Sequence, residues 1–164
     1  MLSYVTFPSP LGTALAIADE RALRSLGHYD GETEAEDAAR SLADAQSDPR
    51  HPVLGELRRQ LDQYFSGRRR RFDLPLAPDG SPFQQRVWAA LLEIPWGETR
   101  SYGELARAVD RPGGSRAVGQ ANSRNPIGIV VPCHRVIAAD GTLGGYTGGL
   151  ERKRRLLRLE GLGL

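Results

Sequence analysis

The chain has 164 residues, of which 40% are apolar and 26% are charged, a balance typical of folded globular proteins. This length suits one domain or two small ones, and the composition excludes a disordered or collagen-like chain. Residues 1–80 carry 10 basic and 13 acidic side chains, whereas residues 81–164 carry 12 basic and 7 acidic ones. The C-terminal half is therefore the part expected to bind a polyanion, and a solvated basic surface is the alternative explanation.

The sequence contains no run of about 18 apolar residues that would predict a membrane span. Its start lacks the basic region and apolar core that are typical of a signal peptide. Cys133 is the only cysteine, so we expect neither an internal disulfide nor a cysteine-rich zinc site. These features predict a cytoplasmic protein with no metal and no membrane partner.

The N-terminal part predicts a small α/β domain with a short antiparallel sheet. Three apolar stretches separated by turn residues predict an antiparallel meander: Tyr4–Phe7, Leu11–Ala18 and Ala22–His28. The acidic stretch Asp30–Asp48 predicts a helix or a surface loop. Apolar residues at helical spacing between Pro52 and Phe65 predict an amphipathic helix that stops at Gly67.

Two further features complete the N-terminal prediction. Arg68–Arg71 followed by Phe72–Leu74 predict an edge strand with a basic flank. The stretch Pro75–Pro82 is rich in helix and strand breakers, which indicates a domain boundary. We therefore predict an N-terminal domain over residues 1–78 and a second domain over residues 79–164.

The second domain is predicted to be mainly helical. A helix begins near Phe83 and ends near Pro95, and Ser101 with Glu104 forms a capping box for a short helix. After a Pro/Gly turn, Ser115 is expected to cap another short helix, Arg116–Arg124. Two short helices across such a turn predict a helix-turn-helix unit. The small residues of the second helix allow close approach of either a neighbouring helix or a nucleic-acid groove.

Ile127–Val131 predicts a buried strand that leads to Cys133. A lone cysteine is often an inert core residue, but His134 and Arg135 are positive neighbours of the kind that lower a thiol pKa. Adjacent side chains of an extended chain point to opposite sides, so His134 would act as a base through a water molecule. Glu160 is placed against the helix dipole in the last turn of the C-terminal helix and is the carboxylate that could orient this base. A structural histidine and a surface glutamate are the alternatives.

Several short motifs occur in an order that resembles the O6-alkylguanine-DNA alkyltransferases: Arg116-Ala117-Val118-Gly119, Asn125-Pro126, Pro132-Cys133-His134-Arg135-Val136, Gly145-Tyr146 and Gly148-Gly149-Leu150. The resemblance is strong over residues 81–164 and extends through residues 64–67 and 72–76. It is weak before about residue 50. The resemblance and the predicted elements together indicate an α/β protein with a helix-turn-helix or winged-helix-like DNA-binding unit in its mainly helical C-terminal domain.

The resemblance implies DNA repair by direct reversal of damage. The protein would flip O6-alkylguanine, and also O4-alkylthymine, out of double-stranded DNA and transfer the alkyl group irreversibly to Cys133. Such a reaction uses no cofactor and consumes one molecule per lesion, and the protein would act as a monomer, at the nucleoid if it is bacterial. A damage-binding alkyltransferase-like protein would lack the cysteine. A thiol hydrolase would turn over and would not need Arg116 or a helix-turn-helix unit.

The resemblance also assigns roles to residues of this sequence. In the reaction, Cys133 would be the nucleophile, His134 the base, Glu160 its orienting partner and Asn125 the holder of the turn, while Tyr102 and Lys153 would supply or stabilise a proton. Arg116 would fill the space left by the flipped base. The remaining DNA contacts would come from Ala117, Gln120, Asn122, Ser123, Arg124 and Arg135. The base pocket would be formed by Tyr102, Cys133, Val136, Tyr146 and Thr147.

Overall fold

The computed structural model describes residues 1–164 and divides the chain into two compact units, Met1–Pro78 and Asp79–Leu164. The first unit contains four strands and two helices: β1 Leu2–Ser9, β2 Gly12–Ala18, β3 Leu23–Tyr29, α1 Glu32–Arg40, β4 Ala45–Ser47 and α2 Pro52–Phe65. The strand order is β3-β2-β1-β4. The meander prediction is confirmed, because β1, β2 and β3 pair antiparallel.

The acidic stretch that follows β3 contains two elements. Helix α1 buries Ala35 and Ala39, which lie on one face at a spacing of four residues. Strand β4 then pairs in parallel with β1, with Leu2 opposite Ala45. Strand β4 was not predicted, because a three-residue strand with two exposed side chains has no apolar alternation.

Helix α2 has the apolar face that its spacing predicts. Leu54, Leu57, Leu61 and Tyr64 are buried. At its start, the His51 ring accepts a hydrogen bond from the Val53 amide at 3.2 Å, so this histidine caps the helix. The helix ends before Gly67, whose positive φ of 79° suits a residue without a side chain.

The predicted edge strand Phe72–Leu74 is wrong. The Gln60 carboxamide donates to the Asp73 carbonyl at 2.9 Å and accepts from the Asp73 amide at 2.9 Å. Two residues later, the Leu23 amide donates to the Pro75 carbonyl at 2.8 Å, and only an isolated bridge joins Leu23 to Leu76. A side chain of α2 therefore takes the place of a neighbouring strand.

The second unit consists of helices with one short parallel strand pair: α3 Pro82–Leu92, β5 Arg100–Ser101, α4 Tyr102–Ala108, α5 Ser115–Ser123, β6 Val136–Ile137 and α6 Leu150–Leu159. Its core includes Val87, Leu105 and Val118. The Trp88 ring nitrogen donates to the Ala121 carbonyl at 2.9 Å and fixes α3 against α5.

The helix-turn-helix prediction is confirmed by α4 and α5, which contact each other. The capping box of Ser101 and Glu104 is present at the start of α4. Ser115, however, is the first residue of α5 and not its cap; Gly114 takes the cap position and provides no side-chain hydrogen bond. None of the helices combines the length and apolar character required to cross a bilayer. No three His, Cys, Asp or Glu side chains are grouped so that they could hold a metal ion.

Candidate active site

The residues before Cys133 form a buried turn and not the predicted strand. The Asn125 side chain accepts from the Ile127 amide at 3.0 Å and donates to the Val131 carbonyl at 2.8 Å. Ile129 has a φ of 69°, which is rare for a β-branched residue. The apolar sequence correctly predicts burial, but a side-chain amide satisfies the backbone here, so no strand partner is needed.

Cys133 begins a 3₁₀ turn that continues to Arg135. Its side chain is buried and forms part of the wall of a cavity of about 300 Å³. The cavity is lined by Tyr102, Gly119, Asn122, Ser123, Cys133, Gly145, Tyr146 and Thr147. Four of the five predicted pocket residues are among them. The fifth, Val136, was predicted to contribute a backbone group; it is fully buried and does not line the cavity, and its carbonyl accepts from Lys153.

Burial raises the pKa of the Cys133 thiol above its ordinary value. A hydrogen bond from the Asn125 side chain and the charge of Lys153 act in the opposite direction but do not outweigh burial. The net shift is therefore upward, and the positive charge that lowers this pKa comes from Lys153 and not from the expected neighbours His134 and Arg135. The resting side chain is a neutral thiol, and a nucleophilic reaction requires a base to remove its proton.

His134, Arg135 and Glu160 form a buried charge network, and the first two of these residues directly follow Cys133 in sequence. The Glu160 carboxylate contacts His134 Nε2 at 2.8 Å, and Arg135 donates to it through Nε at 2.8 Å and through Nη2 at 2.9 Å. Burial opposes ionisation of Glu160, but the hydrogen bonds from His134 and Arg135 outweigh it and lower its pKa to about 2. The carboxylate is therefore ionised at neutral pH.

This ionised carboxylate determines which nitrogen of His134 can act as a base. A carboxylate only accepts hydrogen bonds, so Nε2 carries the hydrogen and Nδ1 carries the lone pair. The Nδ1 atom is buried and makes no hydrogen bond within the protein. Burial lowers the pKa of His134, although Glu160 acts to raise it, so the ring is neutral and Nδ1 can accept a proton.

The structure contradicts the prediction that Arg135 contacts DNA. The side chain is 7% exposed. Besides its two contacts with Glu160, it donates through Nη1 to the Ile94 carbonyl at 2.7 Å. The guanidinium is thus used within the protein, where it holds the α6 carboxylate and the end of α3 together.

Lys153 has no exposed surface and holds three carbonyl groups with its ammonium group. Nζ donates to the carbonyl oxygens of Val136 at 2.6 Å and Gly145 at 3.0 Å, and also to that of Leu143. An ammonium group has three donors, so all of them are in use. Burial lowers the pKa of Lys153 to about 8. The observed contacts tie strand β6 to the segment of residues 143–149, which we call the cavity loop.

The cavity loop packs on Tyr102 and against the ring of its own Tyr146. A side-chain carbon at Gly144, where φ is 69°, would lie 2.9 Å from the Tyr102 hydroxyl oxygen, and one at Gly148 would lie 2.8 Å from the Tyr146 ring. At the far end of the loop, the Thr147 hydroxyl donates to the Ser123 carbonyl of α5 at 2.5 Å. Glycines therefore allow the loop to approach the tyrosines closely. Gly119 and Gly145 line the cavity but were missed, because a glycine gives no side-chain signal in a sequence.

The residues predicted to contact DNA differ in exposure. Arg116, Gln120 and Ser123 are exposed on α5, Arg124 is exposed directly after it, and Ala117 is half-buried. Asn122 is buried, and its amide donates to the Cys133 carbonyl at 3.4 Å, so its assignment to the DNA surface was wrong. The guanidinium carbons of Arg86 and Arg111 lie over the Phe83 ring of α3, at 5.6 and 5.1 Å from its centroid.

Family models match nearly the whole chain in two parts. Residues 82–162 match the DNA binding domain of 6-O-methylguanine DNA methyltransferase, and residues 2–78 match the ribonuclease-like domain of the same protein. This chain belongs to the 6-O-methylguanine DNA methyltransferase family. The two matched ranges lie within the two compact units of the structure.

Relatives within this methyltransferase family are similar over almost their full length. The methylated-DNA–protein-cysteine methyltransferase of Methanosarcina acetivorans is 48% identical over 158 residues, which is 96% of this chain and 97% of that protein. The crystal structure of Mycobacterium tuberculosis OGT in complex with DNA has a TM-score of 0.86 and 46% identity, and covers 96% of this chain and 92% of its own. An O6-methylguanine DNA methyltransferase from Methanococcus jannaschii has a TM-score of 0.71 at 25% identity, over 98% and 95% of the two chains. These similarities confirm the predicted family and fold class.

Proposed function

We propose that this protein repairs DNA by transferring an alkyl group from O6 of guanine to Sγ of Cys133, once per molecule. The observation that carries the proposal is a buried cysteine in the wall of a cavity, in the same unit as the helix-turn-helix and next in sequence to a histidine paired with a glutamate. Relatives named methylated-DNA–protein-cysteine methyltransferases support cysteine as the acceptor.

Burial of Cys133 implies that the damaged nucleotide leaves the duplex. O6 of guanine lies inside a stacked base pair, so it reaches a buried sulfur only after the base is extruded, and extrusion costs least for a weakly paired damaged base. A cavity of about 300 Å³ has the size of a small-molecule pocket. Arg116 is exposed at the start of α5, where its side chain would fill the gap in the duplex.

The proposed reaction begins with deprotonation of the thiol. His134 Nδ1 takes the Cys133 proton through a bridging water, and the Glu160 carboxylate stabilises the resulting imidazolium. The thiolate attacks the saturated carbon; the sulfur–carbon bond forms as the carbon–O6 bond breaks, and the electron pair of that bond stays on the guanine. The proton released from the thiol finally neutralises the guanine, so atoms and charges balance.

Tyr102 is our choice for the group that hands a proton to the departing guanine, and the proton taken from the thiol then restores the Tyr102 phenol. Its ring lines the cavity, and its hydroxyl oxygen lies against Gly144 of the cavity loop. Lys153, the other sequence candidate, has its three donors on backbone carbonyls, so we assign it to holding the loop. Its positive charge still favours the Cys133 thiolate.

The product is a thioether, whose sulfur–carbon bond neither hydrolyses nor exchanges with thiols, so Cys133 is not regenerated. Each molecule therefore reacts once. We extend the proposal to O4-alkylthymine, which presents the same kind of alkyl–oxygen bond on a smaller base. A single copy supplies every proposed catalytic residue, so we expect a monomer that acts in the cytoplasm, at the nucleoid in a bacterial cell.

The decisive experiment mixes the protein with a duplex that contains one O6-methylguanine. We expect the intact mass to increase by one methyl group located on Cys133, and the yield of repaired DNA to stop at one equivalent of protein. The matched variant Cys133→Ala should bind the same duplex and transfer nothing. Repair beyond one equivalent would instead indicate a hydrolase, and binding without transfer by the unmodified chain would indicate a damage-binding protein.

A further inference from the structure

The four consecutive arginines Arg68–Arg71, which we call the arginine tip, have no role in the proposed reaction. They follow α2 and lie in the first unit. Arg68, Arg70 and Arg71 are exposed, and Arg69 is half-buried. Neither Arg68 nor Arg71 forms an ion pair with a carboxylate. Arg68 Nε donates to the neutral Ser66 hydroxyl at 2.9 Å, which does not compensate its charge. Exposed cations without a carboxylate partner suit an anionic ligand outside the protein.

The arginine tip is held in a fixed position. At the start of the tip, the Arg68 amide donates to the Gln63 carbonyl at 2.8 Å, and this bond closes the end of α2. Within it, the Arg69 side chain donates to the Gln63 side chain at 2.8 Å and to the Arg71 carbonyl at 2.9 Å. After it, the Phe72 ring packs on Tyr64 with a centroid distance of 5.4 Å. A fixed segment loses little conformational freedom when its arginines bind a ligand.

The charge around the tip is opposite to that of the rest of the first unit. Residues 56–73 contain six arginines and three acidic residues, a net charge of +3. The remaining residues of the unit contain four arginines and nine acidic residues, a net charge of −5. DNA repels an acidic surface. The arginine tip is therefore the part of this unit that a duplex can approach with favourable electrostatic energy.

Arginine suits phosphate recognition better than lysine does. Its planar guanidinium offers two parallel donors to a phosphate and remains charged at every physiological pH. We propose that the arginine tip is a second DNA contact, which binds the phosphate backbone without regard to base sequence or damage. This inference rests on the DNA-directed function proposed above and adds a contact outside the helix-turn-helix unit.

The test measures binding of the full-length protein to an undamaged duplex at several salt concentrations, so that its result does not depend on alkyl transfer. The double variant Arg68→Ala/Arg71→Ala removes the two tip arginines that have no ion pair. Each lost phosphate contact lowers the slope of log K against log salt by about 0.9, so we expect a decrease of about 1.8. At low salt the affinity should fall by roughly tenfold or more.

Two matched variants separate a local contact from a change in net charge. Arg21→Ala/Arg50→Ala removes two exposed arginines of the same unit and should leave the salt slope unchanged. Arg68→Lys/Arg71→Lys keeps the charge of the tip and should retain most of the slope. Equal losses in the tip variant and the Arg21/Arg50 variant would overturn the proposal, because they would show an effect of net charge alone.

A second copy of the protein is the competing partner, since α1 presents exposed Glu32, Glu34 and Asp37. This alternative is tested by comparing the shortest duplex that binds one molecule with a duplex several times longer. A DNA contact predicts weaker binding of the tip variant to both. Normal binding to the short duplex with weaker binding only to the long one would overturn the proposal and assign the tip to contacts between copies.

Discussion

The buried charge network and the cavity loop both serve the site around Cys133, but they are held in different ways. His134, Arg135 and Glu160 are almost fully buried and hold one another with ionic hydrogen bonds. The cavity loop is mostly exposed and rich in glycine, and Lys153 and Thr147 hold it from its two ends. The groups proposed to move a proton are thus fixed, whereas the cavity wall proposed to receive a base depends on a few side chains.

Glu160→Ala should give the largest effect, because it leaves a buried arginine without its counter-charge. Removal of one partner of a buried ion pair costs about 3–5 kcal/mol of unfolding free energy. We expect that loss in urea unfolding, together with loss of alkyl transfer. Glu151→Ala on the same helix is the control, since its pair with Arg154 is exposed and should contribute less than about 1 kcal/mol. Equal effects of the two variants would contradict a stabilising network.

Acidification should weaken the same network. The pKa of Glu160 is about 2 in the folded protein, against an ordinary value of 4.5. Ionised Glu160 therefore stabilises the fold at and above about pH 5, and this stabilisation is lost as the pH falls towards about 2. Urea unfolding between about pH 7 and pH 3 should show a decline of a few kcal/mol. Glu160→Gln, which does not titrate, should show a smaller decline; an identical pH dependence would rule out Glu160 as its source.

Lys153→Met should affect the cavity loop more than the network. The variant keeps a long apolar side chain but leaves three carbonyl groups without their donor, at a cost of about 2–4 kcal/mol. We expect faster hydrogen exchange at the amides of residues 143–149 and slower alkyl transfer.

Lys153→Arg is the conservative comparison. It retains the charge, but a planar guanidinium does not direct three donors from one nitrogen towards three carbonyls, so it should restore the loop only in part. If hydrogen exchange of the loop were unchanged in Lys153→Met, the ammonium group would not be what holds the loop.

Gly144→Ala should have the smallest effect on stability and a specific effect on reaction. Its positive φ and the close Tyr102 hydroxyl both oppose a side chain, and the backbone term costs about 1 kcal/mol. Gly141→Ala has a similar φ of 87° but no neighbour within 4 Å of the added carbon. Gly144→Ala should lose somewhat more stability than Gly141→Ala because of its contact with Tyr102, and only Gly144→Ala should slow transfer. Equal transfer rates in the two variants would show that the close approach of Gly144 to the Tyr102 hydroxyl is not needed for transfer.

The elements that were predicted correctly depend on residues that lie close together in the sequence. The capping box at Ser101, the apolar face of α2 and the meander strands follow from residue spacing, and all are present. The motif around Cys133 led to the family, and Glu160 was singled out because a carboxylate at a helix C-terminus is unfavourable. Its burial against His134 explains why this local cost is tolerated.

The wrong predictions lie where a side chain makes the hydrogen bonds that a neighbouring strand or solvent would otherwise make. Asn125 satisfies the backbone of residues 127–131, and Gln60 does the same for Asp73, so neither segment forms the predicted strand. Arg135 is charged and therefore suggested a surface contact, but its partner Glu160 is 25 residues away in sequence. Such pairings depend on tertiary structure and leave no periodic pattern.

The presence of Cys133 as the only thiol gives the proposed reaction a simple chemical readout. A thioether does not react with thiol-specific reagents, whereas an unmodified cysteine does once the chain is unfolded and the sulfur is exposed. Titration of thiols in denaturant would then count the molecules that have not yet met a lesion. A sample of cellular protein would in this way carry a record of how much alkylated DNA it had encountered.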